Sequence, residues 1–120
     1  MFCIEDFSKK RIDAINKIWL AIMKMDTQKL SELLDDAIDY EDIGKGKFVE
    51  KLNARFQLHH TWGDEELLMD LDVCLGCKNN EPVCRFVGKN SGYNFALYFE
   101  VCQEQILDIY HCNCFGGRKK

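Results

Sequence analysis

Six of the seven cysteines fall between positions 74 and 114, and their spacing is the first chemistry the chain suggests. Cys74-Leu75-Gly76-Cys77 has the knuckle spacing in which two thiolates hold one zinc ion from either side of a tight turn, at about 2.3 Å per bond. Gly76 eases that turn. Cys112 and Cys114 stand two apart, so on a strand they share one face. They would complete a zinc site if their strand runs beside the 74–77 turn, and Cys84 could replace one of them. Zinc is the one cofactor this pattern suggests. The simpler reading is that the cysteines are small buried hydrophobes, since reduced Cys is among the most buried residue types. A redox role fits less well. A thiol activated in that way relies on a helix N-terminus, whereas Cys74 follows Asp70 and Asp72 at a strand end. An odd number of thiols also leaves at least one without a disulfide partner.

A second group lies on the last expected strand. Asp108 and Tyr110 share a face there with Ile106, Cys112 and Cys114, and His111 points the other way with Leu107 and Ile109. An aspartate on a pocket wall can serve as a general base. A histidine among apolar neighbours is more often a satisfied core residue. His59-His60 reads as the C-terminal end of a helix, where imidazole answers the negative pole of the helix. The aromatic set is large. Trp19, Tyr40, Phe56, Tyr98 and Tyr110 are the residues expected to line a small-molecule pocket, which is typically apolar with a few polar tips.

The elements that would position these residues follow from periodicity. Ile12, Ile15, Ile18, Trp19, Ile22 and Met23 step by threes and fours and predict an amphipathic helix over about 8–25. Asp26 is a good N-cap for a second helix reaching about Asp36. Ile38 to Ile43 alternates and reads as a short strand. Gly44 to Lys47 reads as a turn, without the spacing of a phosphate loop. Phe48, Val49, Leu52 and Phe56 predict a third helix over about 46–60. From Leu67 the period becomes two, and four antiparallel strands follow: 67–73, 83–87, 93–102 and 106–115. Helices followed by a meander predict a single α+β domain over residues 1–120, its three helices packed on one face of a curved antiparallel sheet.

Composition narrows the function classes. The chain has 120 residues, 47% hydrophobic and 30% charged, with 16 Lys and Arg against 20 Asp and Glu for a net charge of −4. That suits a domain with a real core and lacks the basic surface that nucleic-acid binding requires. No apolar run approaches the roughly 20 residues of a membrane span. Met1 to Asp6 carries acids where a signal peptide carries basic residues, so a cytoplasmic location is expected.

Three stretches resemble the NTF2-like superfamily of cone-shaped α+β domains, which includes polyketide-cyclase-like and ketosteroid-isomerase-like proteins. They are the long first helix followed by a helix opening at Asp26, the run Ala37 to Phe48, and Gln105 to Tyr110. The resemblance implies a curved sheet wrapped around the helices, an apolar pocket at its open end and a homodimer formed through the outer face of the sheet. It also implies that Asp42 occupies the place of a proton-abstracting aspartate. The plainer reading of Asp39, Glu41 and Asp42 is solvated turn acids. The expectation is thus a domain that binds a small apolar molecule in its cone, with Asp42 or Asp108 as base if it is an enzyme. The alternative is a non-enzymatic interaction module that uses the sheet face and is stabilised by zinc.

Overall fold

The computed structural model describes residues 9–73, 82–102 and 105–112. Helix α1 (Lys9–Met23) is followed by α2 (Thr27–Leu33), a 3-10 turn (Tyr40–Asp42) and α3 (Lys45–Thr61). Strands β1 (Leu67–Val73), β2 (Pro82–Gly88), β3 (Asn94–Cys102) and β4 (Gln105–Cys112) complete the described chain. The sheet order β1-β2-β3-β4 is that of a sequential meander, with each pair antiparallel. The α+β class follows directly.

Each helix is built by one apolar stripe. Ile15, Ile18 and Ile22 of α1 are buried, whereas Asn16, Lys17 and Leu20 face outward. The helix closes at Met25, whose φ of +54° is left-handed. Asp26 N–H then reaches back to Ala21 C=O at 2.9 Å, and Met25 N–H to Ile22 C=O at 2.9 Å. These two bonds form a Schellman closure with methionine where glycine is usual. Asp26 then caps α2, its carboxylate accepting from Lys29 N–H at 3.0 Å. In α3, Phe48, Val49, Leu52, Phe56 and His59 are buried at helical spacing.

The helices cover one face of the sheet. Leu67, Cys84, Phe86, Phe95, Leu97, Phe99 and Ile109 join Ile22, Leu30, Leu52 and Phe56 in a single core. On the opposite face Val83, Ala96, Tyr98 and Cys112 form a separate buried cluster with Tyr110 beside them. The long strand β3 is therefore buried on both faces, which explains why its residues 94–99 alternate in direction but not in burial.

Two expectations need correction. The segment 38–43 is not a strand. Tyr40 to Asp42 form the 3-10 turn, with Glu41 at φ 55°, ψ 21° and Asp42 at φ 60°. The alternation that suggested a strand reflects Ile38 and Tyr40 turned toward the core. The Tyr40 ring is buried and stacks on Phe48 at 5.4 Å, and its hydroxyl accepts from Asp35 N–H at 3.0 Å. The turn packs against β4 instead of pairing with it. Second, Ile106 does not share a face with Asp108 and Tyr110. Glu100 pairs with Asp108 but Val101 pairs with Ile106, so Leu107 is an extra residue at a β-bulge. The bulge reverses the facing of everything before it and sends Ile106 against the main core.

Left-handed backbone is costly for a residue with a Cβ and nearly free for glycine. Asp42 is exposed, so nothing in its burial compensates. Asp42→Gly should raise stability by up to about 1 kcal/mol, read from the midpoint of chemical denaturation. A loss of stability would mean that the Asp42 side chain holds the turn.

Candidate functional site

Among the described residues, two histidine–carboxylate pairs sit on the helix-facing side of the chain, and they differ in what is left over. The first is fully committed. His59, in the last turn of α3, is wholly buried, and its Nδ1 lies 2.7 Å from Asp64 Oδ2. Its Nε2 accepts from Arg55 Nε at 3.3 Å. Asp64 takes Ser91 Oγ–H on Oδ2 at 2.6 Å, and the Asn90 and Ser91 amides on Oδ1 at 2.8 and 2.7 Å. Burial pushes the Asp64 carboxyl up, but these donors outweigh it and hold it down at about 2. A carboxylate only accepts, so His59 Nδ1 carries the hydrogen and Nε2 the lone pair facing Arg55. Burial disfavours the charged ring, and a protonated Nε2 would also set N–H against the Arg55 N–H; together these outweigh the pull of Asp64. His59 is accordingly held below the ordinary imidazole value.

Serine, histidine and aspartate meet here, but not as a nucleophile, base and orienter. The hydroxyl donates to Asp64, as does His59, so the carboxylate is the hub. No imidazole nitrogen is left to activate Ser91. The network instead fastens the β2–β3 hairpin to the end of α3. Gly88 leaves the room it needs, since a Cβ there would lie 2.1 Å from Asp64 Oδ2. Arg55 seals it, its guanidinium 5.4 Å from the Trp62 ring centre and 5.5 Å from that of Phe95.

The second pair is open. His111 is placed by β4 opposite Leu97, on the helix side, between Phe48 and Phe95, each at 6.2 Å between ring centres. Its Nδ1 lies 2.5 Å from Glu41 Oε1, and Lys51 Nζ donates to Glu41 Oε2 at 2.8 Å. The side chains of His111 and Glu41 are 14% and 15% exposed, so the pair is largely desolvated yet reaches the surface. Burial pushes the Glu41 carboxyl up, but the Lys51 and His111 hydrogen bonds bring it below its ordinary value. Glu41 is therefore an acceptor, and His111 Nδ1 again carries the hydrogen. Burial pushes His111 down, Glu41 pulls it up, and Lys51 and Arg55 push it down again; the net direction is downward. At neutral pH the ring is uncharged and its Nε2 presents a lone pair. Among the described residues no donor takes that nitrogen, unlike its counterpart in His59.

The sequence-predicted residues scatter around this pair. Asp42 is exposed, one residue beyond Glu41. Asp108 is half-buried on the β4 edge, with Oδ1 accepting the Glu41 amide at 2.9 Å and the Ile109 amide at 2.8 Å. Trp19, Tyr40 and Phe56 belong to the core on the helix side, whereas Tyr98 and Tyr110 stack across strands on the other face at 5.3 Å. The five aromatic residues are not brought together around one space. Cys74, Cys77 and Cys114 lie outside the described residues. Cys84 and Cys112 are buried on opposite faces of the sheet, so they cannot share an ion. Burial pushes the Cys84 thiol up to about 12, so it is a protonated hydrophobe at neutral pH, with the Trp19 indole directed at it. Among the described residues no group of three or more His, Cys, Asp or Glu is placed to hold a metal.

Glu41 and Lys51 were missed because nothing in their spacing marks them. Glu41 reads as one of several turn acids. Its inward aim comes from left-handed backbone that only the folded turn imposes.

Both buried groups of the closed network have folded-state pKa values below their unfolded ones. Each therefore contributes stability at neutral pH that is lost on acidification. The His59 share goes as pH falls below the ordinary imidazole value of 6.5, and the Asp64 share as it falls from 3.8 through about 2. Asp64→Ala should cost about 3–5 kcal/mol at pH 7, as breaking a buried pair does, and should flatten the acid limb of a stability–pH curve from urea melts. An unchanged acid limb would assign that limb to other groups.

Comparison of the chain with family models, with curated proteins and with solved structures finds no match.

Proposed function

We propose that the chain is a small-molecule-binding domain of the ketosteroid-isomerase-like (NTF2-like) cone type, and that His111 exchanges a proton with the bound molecule. The observation that carries this reading is the open half of the His111–Glu41 pair. A base must be oriented by a partner and must keep one nitrogen for the substrate. Of the two histidine–carboxylate pairs, His111–Glu41 meets both conditions and His59–Asp64 meets only the first. Three helices on one face of a bulged antiparallel sheet support the cone reading.

The chemistry is proton abstraction and return. His111 Nε2 takes a proton from an acidic C–H or O–H of a molecule that meets the exposed part of the His111–Glu41 pair. The positive charge that forms on the ring is balanced by Glu41, already 2.5 Å from Nδ1. The same nitrogen then returns the proton to the same or a neighbouring atom, so atoms and charge balance. Asp42 is less suited, because its side chain is exposed to solvent. Asp108 is less suited because its Oδ1 already holds two amides. The alternative, a partner docked on the outer sheet face, has less support, since Val83, Ala96, Tyr98 and Cys112 on that face are already buried.

The test is exchange of the α-protons of small cyclic and aryl ketones in D2O, followed by NMR, with the ring signals of His111 recorded in the same samples. Added ketone should shift the His111 signals, and the protein should accelerate exchange. Because the working form is the neutral ring, the rate should rise with pH and level off below the ordinary imidazole value of 6.5. His111→Gln should lower the rate by about 100-fold or more. Failure of every ketone to move the His111 signals would sink the proposal.

A further inference from the structure

We infer that Asp108 is the positioning residue of this site: by accepting the amide of Glu41 it holds the left-handed turn that aims the Glu41 carboxylate at His111. The inference rests on the reading of His111 as the working base. It starts from the backbone. Glu41 and Asp42 are consecutive non-glycine residues at φ 55° and 60°. Such conformations are costly for residues with a Cβ and persist only where the surroundings over-determine them. Asp39 C=O accepts from Asp42 N–H at 2.9 Å and Tyr40 C=O from Ile43 N–H at 3.1 Å, so the turn is closed on itself. Those bonds do not fix its rotation relative to the sheet.

The bond from Asp108 does. The bulge at Leu107 sets Asp108 on the β4 edge, and one oxygen there takes the Ile109 amide at 2.8 Å and the Glu41 amide at 2.9 Å. That bifurcated acceptor fastens the turn to the strand three residues before His111. The Glu41 side chain then has one short path to His111 Nδ1 and one to Lys51 on α3. The charged groups that face His111 are thus Glu41 from the turn and Lys51 and Arg55 from α3. Without Asp108 the Glu41 amide loses its acceptor, and the strain at Glu41 and Asp42 is free to relax.

The readout is the His111 Nδ1–H proton, which the bond to Glu41 shifts downfield in the NMR spectrum, together with the ring tautomer read from its nitrogen shifts. In the full chain, Asp108→Ala should abolish the downfield signal, turn the ring toward the usual Nε2–H form and lower ketone exchange by up to about 100-fold. Asp108→Asn should retain all three, because an amide oxygen accepts the same two N–H groups. If Asp108→Ala fails to fold, the same signals are read in the Asp108→Ala, Asp42→Gly double variant, where glycine removes the left-handed strain at position 42. A downfield signal that survives in the alanine variant overturns the role of Asp108. The two readings fail separately. Ketones that never move His111 in the unaltered protein remove the proposed function and leave the tautomer signature to decide Asp108.

Discussion

A single buried carboxylate joins the helical half of the chain to the sheet. Asp64 accepts from the end of α3 through His59 and from the β2–β3 hairpin through Ser91 and Asn90. A buried charge is tolerable only when its lone pairs are filled, and here four donors fill them. The geometry is therefore demanding on both sides. The helix must end where His59 points at the hairpin, and the hairpin must present two amides and a hydroxyl together. Gly88 suits its place because the carboxylate occupies the space a Cβ would need. With α3 and the hairpin in register, Phe56, Phe86 and Phe95 meet in one core.

That register also sets the distance from α3 to β4. Phe48 and Lys51 stand on α3, and His111 stands on β4 beside Phe95 of β3. The two histidine–carboxylate pairs are thus linked through shared neighbours. Arg55 touches His59 and Phe95, and its charge is also felt at His111. The closed pair stabilises, and the open pair is carried by what the closed pair holds in place. Burial pushes both imidazoles down. The Arg55 donor on His59 and the partial exposure of His111 separate a structural residue from one able to take a proton.

Much of the fold was legible from periodicity. The stripe of isoleucines in α1, the Asp26 cap and the Phe48–Phe56 face appear at their predicted places because helix faces are set by local spacing. The strands were legible for the same reason, through a period of two. What failed did so where tertiary contacts override local pattern. Residues 38–43 alternate like a strand, but β4 receives them through the Asp108 carboxylate and not through a ladder. Leu107 looks like any strand residue, yet as the extra residue of a bulge it reverses the facing of Ile106. The aromatic pocket residues divide between two faces because a strand buried on both sides carries apolar residues in both directions.

The sequence by itself determined the α+β class, the helix faces and the strand order, since each depends on residues close together in the chain. It also marked residues 39–42 as an acidic run, read there as part of a strand, and His111 as a histidine among apolar neighbours. Only the tertiary structure decided which acid matters. Glu41 and His111 are far apart in sequence, and they meet because left-handed backbone turns one inward and a bulged edge strand offers the other. Neither feature has a local signature. Side-chain chemistry was visible in the letters, but which nitrogen remained available was set by contacts made across the fold.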